Sequence, residues 1–229
     1  VIAGPTKMFS AGDDQLFKNY LDKGGRVLLL TTPNASFGLT ETLKAWNVQP
    51  ENNLILEPQE NYYGNAPAPV FSQFPDSPVT QDMQGLAVFF PGVSSIKQPG
   101  DAAASGATAT ALFTSTANAC AKTDFDQLKN QAQVQCEAND PKGPFVVGYA
   151  IEGAGTGGAA RDARSRLIVL GNTTFATNQW LNQQGADGNR DQEPDADADS
   201  RRQCDRRRRT QDDQERFRHR QRRLRRESR

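Results

Sequence analysis

Residues 26–32 read Arg-Val-Leu-Leu-Leu-Thr-Thr, a nearly continuous apolar run. A strand with one wet face alternates apolar and polar residues; a strand covered on both faces does not. This run therefore requires packing on both of its sides. The residues before it show how one side is supplied. Val-Ile-Ala-Gly-Pro at 1–5 reads as a short buried strand leaving into a turn. Ser10, with Asp13 three residues on, makes a capping-box-like helix start. Leu16, Phe17, Tyr20 and Leu21 then form one apolar face at helical spacing, and Gly24 and Gly25 end the helix. The result is a strand–helix–strand unit, expected to cross over with a right hand.

The pattern continues. Residues 38–48 predict a second helix with Leu39, Leu43 and Trp46 on one side, and Asn-Leu-Ile-Leu-Glu-Pro at 53–58 predicts a third strand. From Tyr62 to Gln84 the chain is rich in Pro, Asn, Gly and Gln and reads as a long loop. Residues 85–96 form an apolar strand interrupted by Pro91; 106–119 alternate enough for a half-buried strand; 124–133 suit a short helix. Residues 143–153 and 165–171 are two strands joined by a glycine-rich loop. The predicted fold class is α/β, three layers around a mostly parallel central sheet with some antiparallel strands, helices 10–23 and 39–46 covering it.

A last helix begins near Phe175, Trp180 and Leu181 and loses its apolar face at Gly185. Residues 1–184 are therefore expected to form one domain. Residues 185–229 hold 15 Arg and 11 acidic residues, a net +4, against 12 basic and 16 acidic residues in 1–184, a net −4. Phe217 and Leu224 are the tail's large apolar residues, too few to offset chain entropy, so a disordered tail is expected. Two origins stand for it: a native linker, or a reading-frame error. The second is suggested by Asp-Ala-Asp-Ala-Asp at 195–199, whose codons shifted by one base can encode a Thr-Pro repeat, and by the switch from Lys to Arg. Because the chain opens at Val1 inside an apolar run, it is expected to be a fragment of a longer protein.

Composition excludes several functions. The single histidine, His219, lies in the tail. Ser-His-Asp and Cys-His catalysis need a base of suitable pKa, and zinc sites need His or clustered Cys, so no catalytic residue, metal or cofactor is expected in 1–184. Of Cys120, Cys136 and Cys204, the first two either form a disulfide, if the domain is extracytoplasmic, or stay as free thiols. Gly153–Gly158 matches G-x-G-x-x-G, but only Ala-Ala-Arg-Asp-Ala-Arg at 159–164 separates it from the next strand. A dinucleotide crossover needs more room, so a turn between antiparallel strands is the better reading. Arg161, Arg164 and Arg166 behind it suit a solvated loop better than an anion grip. The arginine runs of the tail are interleaved with acids and have no aromatic platform, so nucleic-acid binding is not expected.

Taken in order, residues 1–33, Phe-Pro-Asp-Ser-Pro-Val-Thr at 74–80, Leu-Ala-Val-Phe-Phe-Pro-Gly-Val-Ser-Ser-Ile at 86–96 and residues 165–185 resemble the auxiliary component of gliding-motility-type ABC transport systems. At Ser77-Pro78 that family often has His-Pro. Where it usually reads Gly-Asp-Ser-Asp-Phe-Ala, Asn172 and Thr174 replace the two acids. The likeness spans 1–184. It implies a class I glutamine-amidotransferase-like (flavodoxin-like) domain without catalytic machinery, held outside the cytoplasm by transmembrane helices beyond this fragment. Its implied partners are an ABC permease and ATPase. The chain itself has no G-x-x-x-x-G-K-[ST] loop, so ATP hydrolysis is assigned to a partner. The rival reading is a small-molecule-processing enzyme using Thr31, Thr32 or Asn34.

A ligand of such a sheet is expected at the carboxyl ends of the early strands, near Pro5, Thr32, Pro33 and Asn34, joined by Asn172 and Thr173. Those side chains are neutral donors and acceptors and suit a sugar or other polar small molecule. For Asn172, Thr173 and Thr174 an equally good reading is that they cap the following helix. The 62–84 segment is expected to cover the site.

Overall fold

The computed structural model describes residues 1–100, 106–129, 134–154 and 164–180. In chain order the elements are β1 (Ile2–Ala3), α1 (Ala11–Asp22), β2 (Arg26–Leu30), α2 (Thr40–Ala45), β3 (Gln49–Pro50), β4 (Leu54–Leu56), β5 (Asn61–Tyr62) and β6 (Asn65–Phe71). There follow β7 (Val88–Phe89), β8 (Ile96–Lys97), β9 (Thr108–Thr114), β10 (Cys120–Lys122), α3 (Phe125–Lys129), β11 (Val146–Ala154) and β12 (Arg164–Leu170). The fold is mixed α/β, as expected. Its five-stranded sheet, ordered β1-β2-β12-β11-β9, is not mostly parallel. β2 runs parallel to both β1 and β12, whereas β11 runs antiparallel to both β12 and β9.

The central strands show why the sequence carries continuous apolar runs. In β12, Leu167 and Val169 pack on one face of the sheet with Leu29, Tyr149 and Ile151. Ile168 and Leu170 point to the other, with Leu30 and Val147. On the first face the cover is helical: Phe17 and Leu21 of α1, and Leu39, Leu43 and Trp46 around α2. On the second face the described cover contains no long helix. It is built by β4, β6, β7, β10 and their loops, through Ile55, Phe71, Phe90, Val93 and Ala121. Phe90 centres this layer, its ring 4.9 Å from Phe113 and 5.4 Å from Phe71 and Phe175. Offset and edge-to-face aromatic pairs fill such a gap with few residues.

Helix α1 starts as the sequence predicts. Ser10 accepts the Asp13 backbone N–H, and Asp13 accepts the Ser10 N–H, a complete capping box. Its apolar face is narrower than expected: Phe17 and Leu21, four apart, are buried, while Leu16 and Tyr20 remain 67% and 53% exposed. Helix α2 has no cap of its own. Leu39 stands before it in the left-handed region (φ 62°), and Asp14 of α1 accepts the free N–H groups of Glu41 and Thr42 at 3.1 and 3.4 Å. One helix thus caps the next.

The expected third strand, β4, leaves the main sheet and pairs antiparallel with β10. The expected 62–84 loop contains instead the β5–β6 hairpin, continued by β7. Its two prolines explain the difference. Pro67 and Pro69 face the same neighbour, where their carbonyls accept from Gly92 and Phe90, and the N–H groups used on the other side come from Val70 and Glu57. Pro91 divides the 85–96 run as predicted, and its halves β7 and β8 join different sheets. Arg164 and Arg166 are strand residues, not loop residues, and both pair with Glu152 of β11. Gly153 lies in β11, whose neighbour β12 runs antiparallel to it, not in the parallel arrangement of a dinucleotide crossover; residues 155–163, with the rest of the motif and Arg161, lie outside the described residues. The tail predicted for 185–229 lies outside the described residues.

Strand β10 carries a buried cation. Lys122 donates to Asp140 at 2.8 Å and Glu137 at 3.2 Å. Burial opposes the charge on Lys122, but these two partners outweigh it and raise its pKa. Burial likewise pushes the Asp140 carboxyl up, yet the hydrogen bonds from Lys122 and the Glu137 N–H hold it below its ordinary value. A depressed carboxylate stabilises the fold above its unfolded pKa of about 3.9 and loses that contribution as pH falls through the folded value. Asp140→Asn should therefore cost roughly 3 kcal/mol at pH 7, because a buried ammonium loses its closest partner. The difference from the unsubstituted protein should shrink as pH drops below about 4. Glu137→Gln, at a side chain 56% exposed, should cost less than about 1 kcal/mol. Urea unfolding at several pH values measures all three.

Candidate functional site

Because β1, β2 and β12 are parallel neighbours, their carboxyl ends open on one edge of the sheet. Three turns meet there. The Gly4 N–H donates to the Leu30 carbonyl at 2.9 Å. The Thr31 N–H and hydroxyl both donate to the Leu170 carbonyl, at 2.8 and 3.3 Å. Gly4 has a left-handed φ of 55°, and a Cβ on it would lie 3.3 Å from the Thr173 methyl. The structure thus brings the turn holding Pro5 and Thr173 together, with Thr32 and Pro33 leaving from the same edge.

Asn172 plays a different part. It is wholly buried. Its Nδ2 donates to the carbonyls of Pro91 and Gly92 at 2.7 and 3.0 Å, and its Oδ1 accepts the Phe175 N–H at 2.9 Å. The amide is committed to holding the 91–92 turn and starting the 3₁₀ turn Thr174–Ala176. Gly171 beside it accepts from the Ser94 N–H at 2.8 Å, so closely that a Cβ at 171 would collide with the Ser94 backbone. Asn172 is the capping residue that the sequence allows; Thr173 makes no side-chain capping bond.

Asn34 separates from this group. It is exposed in the left-handed region (φ 59°) and opens on a cleft of about 480 Å³ with Asn52, Thr123, Asp124 and Asp126. Thr31 is buried and its hydroxyl donates to a backbone carbonyl. Such a bond supplies no base for a nucleophile.

Two further concavities lie on the aromatic side. One, of about 290 Å³, is lined by Met83, Phe89, Phe113, Phe175 and Trp180. The buried Trp180 Nε1 has no hydrogen-bond partner among the described residues. The other, of about 860 Å³, lies under the β5–β6 hairpin beside Cys136. Its edge residue Tyr63 is 79% exposed and left-handed, with a φ of 49°. That conformation costs a non-glycine residue about 1–2 kcal/mol. Sequence reasoning placed this region in a loop and missed it. The available signal was Asn-Tyr-Tyr-Gly-Asn at 61–65, in which Tyr63-Gly64 stands where a tight hairpin prefers Asn-Gly. Cys120 and Cys136, for which the sequence left two readings, form a disulfide.

The fold has a known counterpart. The structure of the mmIFT52 N-terminal domain superposes with a TM-score of 0.55 at 16% identity, over 81% of this chain and 70% of that one. At that identity the likeness shows the fold alone. A family model described as "ABC-type uncharacterized transport system" matches residues 1–200, past the residue 184 at which the likeness in the quoted motifs ends. No curated protein matches.

Because Asn172 satisfies three backbone groups at once, Asn172→Ala should destabilise the domain by at least about 2 kcal/mol. Thr173→Ala should change stability by less than about 0.5 kcal/mol. A thermal melt of each variant checks both, at roughly 2–4 °C per kcal/mol for a domain of this size.

Proposed function

The chain belongs to the ABC-transport auxiliary family, described as an ABC-type uncharacterized transport system, and on that footing we propose that it is the non-catalytic binding or scaffold domain of a gliding-motility-type auxiliary subunit. The family match over residues 1–200 carries this reading. The subunit works beside a permease and an ATPase, since the sequence holds no phosphate-binding loop of its own. Its domain faces the extracytoplasmic side. The Cys120–Cys136 bond supports that placement, because disulfides persist in oxidising compartments. Among the described residues no helix is long and apolar enough to cross a membrane; in this proposal the anchor lies elsewhere in the protein.

A binding role in place of catalysis is supported by the sequence, whose one histidine is His219. The relation to amidotransferase-like, flavodoxin-like domains is part of the same proposal. It is supported by the parallel β1–α1–β2 unit and by β12 joining it in parallel. A polar ligand at the carboxyl edge would meet Pro5, Thr32, Pro33 and Thr173, with Asn172 holding the turn beneath.

Full-length protein extracted from membranes in mild detergent should co-purify with an ABC permease and ATPase. Recovery of the protein alone, under conditions that keep other ABC complexes intact, overturns the proposal. In the same preparation Cys204 should be the thiol that reacts before reduction. Reducing the Cys120–Cys136 bond, which spans 16 positions, should lower stability by roughly 3 kcal/mol.

A further inference from the structure

The hairpin cleft has a chemistry that the fold does not use. Its turn residues Tyr63 and Gly64 are both left-handed, with φ of 49° and 79°. Asn-Gly relieves such a turn of strain, whereas tyrosine does not. Tyr63 is not compensated by burial, for the residue stays 79% exposed and its ring meets Tyr62 edge-on at 4.6 Å. Tyr62 in turn lies stacked on Phe89 at 4.2 Å, which fixes the base of the turn to the aromatic layer. An exposed aromatic side chain held in a strained backbone on a rigid support is the arrangement of a ligand clamp.

The cleft beneath, about 860 Å³, falls in the range of small-molecule sites, roughly 300–1,000 Å³. Pro58 and Pro67 give it apolar walls, and Asn61, Asn65 and Gln135 bring amides to it; among the described residues no charged side chain lines it. Asn61 Nδ2 donates to the Glu57 carbonyl at 2.8 Å, which orients its Oδ1 as an acceptor. The Asn65 and Gln135 amides make no hydrogen bond with another described residue. A lining without charge offers little to a phosphate, a carboxylate or a metal ion. Side-chain amides donate and accept at once, as neighbouring hydroxyls do. An exposed ring adds a flat apolar face with few rotamers to freeze.

We propose that the β5–β6 hairpin cleft is a binding subsite for a neutral oligosaccharide, with Tyr63 as the stacking platform and Asn61, Asn65 and Gln135 as partners of its hydroxyls. It shares no lining residue with the turns at the carboxyl edge of β1, β2 and β12, and it does not depend on the transport reading.

The test is calorimetric titration of the full chain with cellohexaose, maltohexaose, laminarihexaose and chitohexaose. At least one should bind saturably. Tyr63→Ala should weaken that binding about tenfold or more, the loss expected of a stacking anchor. Tyr63→Trp should retain it. Tyr63→Gly separates binding from folding: it removes the left-handed strain, so the melting temperature should hold or rise while binding is lost. Tyr20→Ala, at an exposed tyrosine on α1, should leave binding unchanged. Absence of saturable binding to all four sugars overturns the proposal, as does undiminished binding by Tyr63→Gly; either leaves the co-purification result untouched.

Discussion

The structure depends on the enclosure of β12 from Leu167 to Leu170. Its edges are taken by β2 and β11 and its faces by two separate apolar layers. A strand so enclosed must satisfy every backbone group through its neighbours and can carry almost no polar side chain. Arg164 and Arg166 stay exposed at the start of the strand, and Ser165 between them is the one polar side chain it buries: its hydroxyl donates to the Leu21 carbonyl at the end of α1. That bond ties the helical layer to the sheet centre. The turn after Leu170 inherits the same restriction, which is why Gly171 and Asn172 serve the packing between Ser94 and Pro91 before they serve anything else.

Local chemistry was legible in the sequence; the partnership of strands was not. Ser10 and Asp13 cap α1 because both act within one turn, at contacts that any chain could read from spacing. The enclosed strands β2 and β12 followed from their unbroken apolar runs. Leu16 and Tyr20 failed because helical periodicity says which side chains align, not how wide a stripe the sheet will cover. Leu54–Leu56 looks like a sheet strand by every local measure and pairs instead with Cys120–Lys122, 64–68 positions away, a distance at which composition is silent. The β6 strand was hidden by Pro67 and Pro69, since proline usually argues against a strand. They fit because the neighbouring segment donates to their carbonyls, through the Phe90 and Gly92 N–H groups, and those bonds need no proline N–H.

The candidate residues divide along the same line. Pro5, Thr32, Pro33 and Thr173 share an edge because parallel neighbours must end together, a consequence of topology that the early strand–helix–strand pattern implied. Asn34 and Asn172 depart from the group for local reasons: the first turns away through a left-handed backbone, and the second is consumed by three backbone partners. Tyr63 carried no signal by residue type. Its meaning lies in a conformation that tyrosine seldom adopts and in the neutral walls around it.

The pairing of β2 with β12 also sets a schedule. Thr31 and Leu170, hydrogen-bonded at the end of that ladder, are 139 positions apart. Closing so long a loop must precede the contacts that reward it, which slows folding. On the ribosome, β1, α1 and β2 emerge long before β12, with Leu28, Leu29 and Leu30 on a strand whose second neighbour has yet to be made. Until β12 arrives, that strand edge is open to pairing with another chain. Exposure to aggregation is thus greatest between the synthesis of β2 and that of β12, and a chaperone that shields residues 26–30 over that interval would raise the yield.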